Sequence, residues 1–165
     1  MQREDSIRGF TLLEMCCVIA IVGILAAAAG PKLLDTAAFD MRGYTDELAG
    51  AIRTSEAVAA ASGCQVQLTI APGTGYNAEL PATGATCTGA FTAPVHRADG
   101  TALAGTPPSN ADVAASVVLD LNPDGSIAGA APGANPTVTV VSSPAGEAPS
   151  LTLQVDAQSG FVTVP

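Results

Sequence analysis

Three sets of residues in this 165-residue sequence have side chains and spacing that suit chemistry. The first is Asp120-Leu121-Asn122-Pro123-Asp124-Gly125, which places oxygen ligands at alternate positions before a glycine, like the first half of a twelve-residue calcium loop. The twelfth position is Ala131 instead of a bidentate glutamate, and no flanking helices are expected. Asn-Pro-Asp-Gly is also a favourable type I turn, with proline at the second position and glycine at the fourth. The expected reading is therefore a hairpin between strands Ser116–Leu121 and Ser126–Ala128, not a metal site. The second set centres on His96, the only histidine, which follows Pro94-Val95 in loop-like sequence with no nucleophile beside it. Catalytic triads are spatial rather than sequential, but nothing here singles one out. No enzyme, cofactor or metal is expected.

The cysteines form the third set and divide into two pairs. Cys16 and Cys17 are adjacent in an apolar run and read as small hydrophobes. Cys64 and Cys87 lie in polar, turn-rich sequence, where one disulfide closing a loop of about two dozen residues would contribute roughly 3 kcal/mol. A zinc site is the rival reading, but it lacks ligands, since there is a single histidine and no Cys-x-x-Cys.

One further residue stands out because of where it is. From Phe10 to Ala29 the chain is apolar except for Thr11, Glu14 and small glycine. About 20 such residues in a helix cross a bilayer core of about 30 Å, and a carboxylate in that setting is costly and therefore a functional hypothesis. One reading is a secretory signal, with Met15–Leu25 as its apolar core and Ala27-Ala28-Ala29 as the cleavage site, releasing a soluble β-domain that begins near Gly30. Against it, the leader carries as many acids as bases, Glu14 interrupts the apolar core, and the helical pattern runs on past the cleavage site. Leu33, Leu34, Ala37, Ala38, Met41, Tyr44, Leu48, Ala51, Ile52, Ser55, Val58 and Ala59 recur at three- and four-residue intervals. Pro31 is expected to kink this helix without ending it, and Gly63 to stop it.

Beyond Gly63 the period shortens to two. Gln65–Ile70 alternates polar and apolar residues, and Tyr76–Leu80 follows Pro72-Gly73 as its hairpin partner. Further strands are expected at Phe91–Val95, Ser116–Leu121, Thr137–Ser142, Leu151–Val155 and Phe161–Val164. Gly84–Gly89, Ala98–Asn110 and Gly129–Pro136 are expected to connect them. The fold class is thus α+β, a long N-terminal helix packed on an antiparallel sheet or two small sheets. The net charge is −9, and the first nine residues do not change it, because Arg3 and Arg8 offset Glu4 and Asp5. The remaining cations Lys32, Arg42, Arg53 and Arg97 are scattered, whereas nucleic-acid binding needs them clustered.

Gly9-Phe10-Thr11-Leu12-Leu13-Glu14, followed by the uncharged run and Pro31, closely resembles the processing motif of type IV prepilins and of type II secretion pseudopilins. The resemblance implies a leader, residues 1–9, cut after Gly9 by prepilin peptidase, with N-methylation of the new terminus Phe10. It implies an assembly and transmembrane helix at 10–30, an amphipathic continuation at 31–63 and a periplasmic β-rich domain at 64–165. Glu14 matches the family's assembly glutamate and Pro31 its helix-kinking proline. The implied setting is the inner membrane, crossed once, and then a fibre with other pilins built on an inner-membrane assembly platform. The body is similar to GspH/FimT-type minor pseudopilins in Arg53-Thr54-Ser55-Glu56-Ala57, Val66–Ile70 and Gly160-Phe161-Val162. The stretches Phe39-Asp40-Met41-Arg42-Gly43 and Ser62-Gly63-Cys64 further resemble minor pilins of the mannose-sensitive haemagglutinin type. Some FimT-type subunits bind DNA through a C-terminal Gly-Arg-x-Arg, but the matching place here, Gly160-Phe161-Val162-Thr163, has no arginine.

A mature chain would begin with a charged amine at Phe10. In a helical stack each Glu14 carboxylate would meet the amine of a neighbour, so that two costly charges compensate. The competing reading is a carboxylate that snorkels to the headgroups from the first helical turn.

Overall fold

The structure, a computed structural model, describes residues 11–33, 36–131, 133–143 and 149–164, with side chains outside 26–36. Gly9 and Phe10 therefore lie outside the described residues. The chain divides into two compact units, residues 1–36 and residues 37–165.

In the first unit, α1 spans Leu12–Leu33 and is apolar on every side. Its backbone stays helical through Pro31, where the lost hydrogen bond is tolerated in a helix of this length. Among the described residues no helix is long and apolar enough to cross a membrane. The part of α1 with described side chains ends at Leu25, short of the ~20 residues a span requires.

The second unit opens with α2, Thr36–Ser62, from its second residue on. The expected apolar face is the one that is buried: Met41, Tyr44, Leu48, Ile52 and Ala59 are inaccessible, and Thr45, on the same face, donates its hydroxyl to Met41 O at 2.6 Å. Gly63 ends the helix with a φ of +70°, and its amide donates to Ala59 O at 2.9 Å. Only glycine adopts that left-handed cap without cost.

Among the described residues, nine strands follow in two antiparallel sheets. The first sheet holds β1 (Val66–Ala71), β2 (Gly75–Thr83), β3 (Thr88–Pro94) and β6 (Val117–Leu121) in the order β3-β2-β1-β6, and β4 (Ala104–Gly105) also pairs with β2. The second runs β5 (Ala111–Val113), β7 (Thr137–Ser142), β8 (Leu151–Val155) and β9 (Val162–Thr163) in chain order. Alternation along β1 sends Val66, Leu68 and Ile70 inward, with Leu119 and Leu121 of β6 beside them. Val138, Val140, Leu153 and Val155 of the second sheet join the same core as the α2 face. Asp112 of β5 ties the two sheets together by accepting the Gly73 amide of the β1–β2 turn at 2.9 Å.

Two expectations are corrected. The connection Ala98–Asn110 is not free of strand, because it contains β4 and a bridge from His96 to Ala102. Ser126–Ala128 is not a return strand but a single bridge from Ile127 to Leu121. On either side of that bridge the Asn122 amide donates to Ser126 O and the Ala128 amide to Asp120 O, both at 2.8 Å, so the hairpin is present but one bridge long. The Ile127 amide faces away from β6 and donates to Ala157 O, just past β8, at 2.9 Å.

Candidate functional site

The start of α1 is built by Thr11. Its Oγ1 accepts the Glu14 amide at 3.2 Å, and its carbonyl accepts the first intrahelical bond, from Met15, at 3.2 Å. Thr11 is thus an N-cap and Glu14 the third helical residue, with its carboxylate in the first turn, where the helix dipole favours negative charge. Thr-x-x-Glu is a capping-box pattern. That signal stands in the sequence, but reading Glu14 for its charge alone misses Thr11 as the group that places it.

Around Glu14 the helix is bare. Leu12 is 83% exposed, Leu13, Ile19, Ile24 and Leu25 are also largely exposed, and the Cys16 and Cys17 thiols are free and exposed. Apolar side chains on every side of a helix demand an apolar surround, either lipid or other helices.

Cys64 and Cys87 form a disulfide across a sequence separation of 23 residues, with Cα atoms 5.1 Å apart. Cys64 follows the Gly63 cap directly, and Cys87 lies in the β2–β3 connection with a φ of +53°.

The acidic stretch at Asp120–Gly125 forms a turn. Gln67 Nε2 donates to Asp120 Oδ1 at 2.8 Å, and Gln65 Nε2 donates to Asn122 Oδ1 at 2.9 Å. The Ser126 hydroxyl and amide donate to Asp124 Oδ1 at 2.6 and 2.9 Å and hold that carboxyl below its ordinary range. All three oxygen-bearing side chains are thus engaged within the turn and its neighbour β1. His96 is exposed, with Nδ1 3.0 Å from Gly100 O.

Two further groups carry no mark in the sequence. Arg97 Nη2 donates to Tyr76 Oη at 2.9 Å, and Tyr76 Oη in turn donates to Glu47 Oε1 at 2.8 Å, which links α2 to the first sheet. No sequence pattern signals this, because the three residues come from three separate segments.

The other group is Glu56, near the end of α2. Its Oε1 is buried without a partner, and it lies so close to Gly160 that an added Cβ there would stand 2.5 Å from it. Burial pushes this carboxyl up to about 7, against the opposing pull of the Arg53 guanidinium. A carboxyl raised in the folded state contributes its stability below its unfolded value near 4.5 and loses it as pH rises through about 7. Glu56→Gln is therefore expected to gain about 1 kcal/mol at pH 8, a figure discounted for partial solvent screening. Near pH 4 it should gain almost nothing. Urea unfolding of both chains at the two pH values checks this, and an equal gain at both would show that the charge is irrelevant.

The capped start of α1 and its carboxylate fall within a stretch that matches a known N-terminal signal. The family described as the prokaryotic N-terminal methylation motif matches residues 6–30. The chain is also similar to the type IV narrow pilus major component PilA5 of Thermus thermophilus, 40% identical over 52 residues. That match takes in 32% of this chain and 45% of the relative, so the chain spans about half the length of the curated relative it matches. No solved structure matches the chain.

Proposed function

We propose that this chain is a structural subunit of a type IV pilus or a type II secretion pseudopilus, with no catalytic role. The observation that carries the reading is the bare α1, exposed on every side and headed by Glu14 within a matched pilin-type signal. Prepilin peptidase would cut after Gly9, and Phe10 would be methylated. The Leu12–Leu33 helix, roughly 33 Å at 1.5 Å per residue, would lie in the inner membrane with the β-domain in the periplasm. Assembly on the inner-membrane platform would then move α1 from lipid into a bundle of α1 helices from other pilins. Pro31, the Cys64–Cys87 bridge and the division at residue 30 belong to this reading as the expected kink, domain staple and membrane boundary.

Mass spectrometry of the mature chain tests it. N-methyl-Phe10 at the terminus is the expected result. A terminus near Gly30 would instead mark a secreted β-domain, a surface-binding module, and would end the fibre reading.

Within the fibre we assign a minor, substoichiometric place, on the GspH/FimT-like features of the body. The similar PilA5 is a major pilus component, which favours a second reading as a shaft subunit. Quantitative proteomics of sheared fibres separates the two, because a shaft subunit dominates the preparation. Neither reading includes nucleic acid, since the C-terminal Gly160-Phe161-Val162-Thr163 lacks arginine and the chain carries a charge of −9.

A further inference from the structure

We propose that Glu56 is a pH-operated latch on the C-terminal strand, holding β9 against β8 while its carboxyl is neutral and loosening it when the carboxyl ionises. Three segments meet at this residue. Glu56 lies in the last two turns of α2, and Gly160 closes the turn from Asp156 that leads into β9. The third segment is the Asn122–Ser126 turn. A Cβ on Gly160 would stand 2.5 Å from Glu56 Oε1 and 2.7 Å from Gly125 O, and one on Gly125 would stand 3.2 Å from Ser159 O. No side chain fits at this meeting point. Gly160, with a φ of +68°, supplies both the close approach and the left-handed backbone.

The surroundings of Glu56 Oε1 offer it no proton. The atom is buried and accepts no hydrogen bond. The Gly160 amide donates to Asp156 O at 2.8 Å and the Gly125 amide to Asn122 O at 3.0 Å, so both nearby glycine amides are spent elsewhere. An ionised carboxyl is therefore a buried acceptor beside another acceptor, Gly125 O, which is costly. A protonated carboxyl is a donor instead. The charged groups on the three segments do not relieve the cost. Arg53, one turn earlier on α2, favours ionisation but is outweighed by burial. Asp124 and Asp156, on the two turns, are held below the ordinary carboxylate range by Ser126 and Ser159, so both stay charged from about pH 5 upward. Val162 and Thr163 of β9 carry no ionisable side chain.

β9 is the element that can respond. It is an edge strand of two residues, joined to β8 by the pairs Gln154–Thr163 and Val155–Val162. Its Val162 is buried, but the preceding Phe161 is 68% exposed and adds little to the hold. Short edge strands open locally at low cost. Opening lets water reach Glu56 and returns its carboxyl from about 7 toward 4.5, so opening is favoured increasingly between those two pH values and no further above them. The β8 edge left unpaired is a place for another chain's strand to add.

The test is amide hydrogen exchange of the full chain in nonionic micelles, each rate divided by the intrinsic rate at its pH. The Asp156 amide, which donates to Phe161 O at 2.9 Å, reports on the attachment of β9. The Val155 amide, one residue earlier, points the other way to Pro136 O, also at 2.9 Å, and reports on the sheet behind it. From pH 5 to pH 7.5 Asp156 is expected to lose protection by at least ~5-fold, a figure discounted for partial solvent screening. At pH 7.5 it should exchange at least ~10-fold faster than Val155. Low urea acts on openings that expose much surface, so it should speed Val155 and leave Asp156 unchanged. Glu56→Gln, which keeps the shape and cannot ionise, should show no decline at Asp156 between the two pH values. Wild-type protection that is flat with pH, the same decline in Glu56→Gln, or equal protection and urea dependence at Asp156 and Val155 would overturn the proposal.

Discussion

Glu14→Ala is expected to yield a chain that is processed and membrane-bound but missing from sheared fibres. The argument turns on what surrounds the carboxylate in each state. In the single chain Glu14 occupies the first turn of α1 and is exposed, so its interaction with the helix dipole amounts to only about 0.3–1 kcal/mol. In the proposed bundle of α1 helices, water would be excluded and a charged Phe10 amine from a neighbour would need a partner. Removing one member of such a buried pair costs about 3–5 kcal/mol, because the other charge is left uncompensated. At each contact that is a loss of roughly two to four powers of ten in incorporation. Glu14→Gln, which keeps the shape and removes the charge, should fail almost as completely. Immunoblots of sheared fibres against membrane fractions read the result. Fibres that incorporate both variants at the wild-type level would reduce Glu14 to a snorkelling side chain.

The second large effect is on stability. Replacing Cys64 and Cys87 by alanine is expected to cost about 3 kcal/mol, the loop-closure value for a separation of 23 residues. For a domain of this size the loss corresponds to a melting point lower by roughly 10 °C. Thermal unfolding in a Cys16→Ser/Cys17→Ser background isolates this bridge from the two exposed thiols, and adding reductant to the same background should reproduce the shift. Coincident melts with and without reductant would show that the bridge adds nothing.

The pairing itself is legible in the sequence, because Cys64 and Cys87 are the two cysteines outside the apolar run. So are the buried stripe of α2, the Gly63 stop and the strands β1, β2, β7 and β8, where a helical or a two-residue period runs for five residues or more. β4 and β5, two and three residues long, are too short for any period and sit among Ala, Gly and Pro. β3 is read only in its second half, as Phe91–Val95, because its exposed start, Thr88-Gly89, has no buried alternation and falls in the Gly84–Gly89 stretch read as a connection. Ser126–Ala128 pairs with β6 as its composition suggests, but for a single bridge, because a turn at Ala128-Gly129 takes the chain away. The two sites differ in the same way. The head of α1 is contiguous, so Gly9, Phe10 and Glu14 can be read directly, and Thr11 with them once the cap is recognised. The Arg97–Tyr76–Glu47 chain draws on three separate segments, which only the folded chain brings together.

The covalent bridge next to the Gly63 cap also has a mechanical consequence. The residue that follows the end of α2 is fastened to the β2–β3 connection, and two residues later the chain enters β1, which β2 and β6 flank on both sides in antiparallel register. Tension carried down α2 therefore cannot peel one strand from an edge. It must pull β1 lengthwise against two ladders at once, or pass through the sulfur link into a third segment. A subunit wired in this way yields to pulling by shear, the stiffer of the two modes, and single-molecule stretching with and without reductant would show how much of that resistance the sulfur link carries.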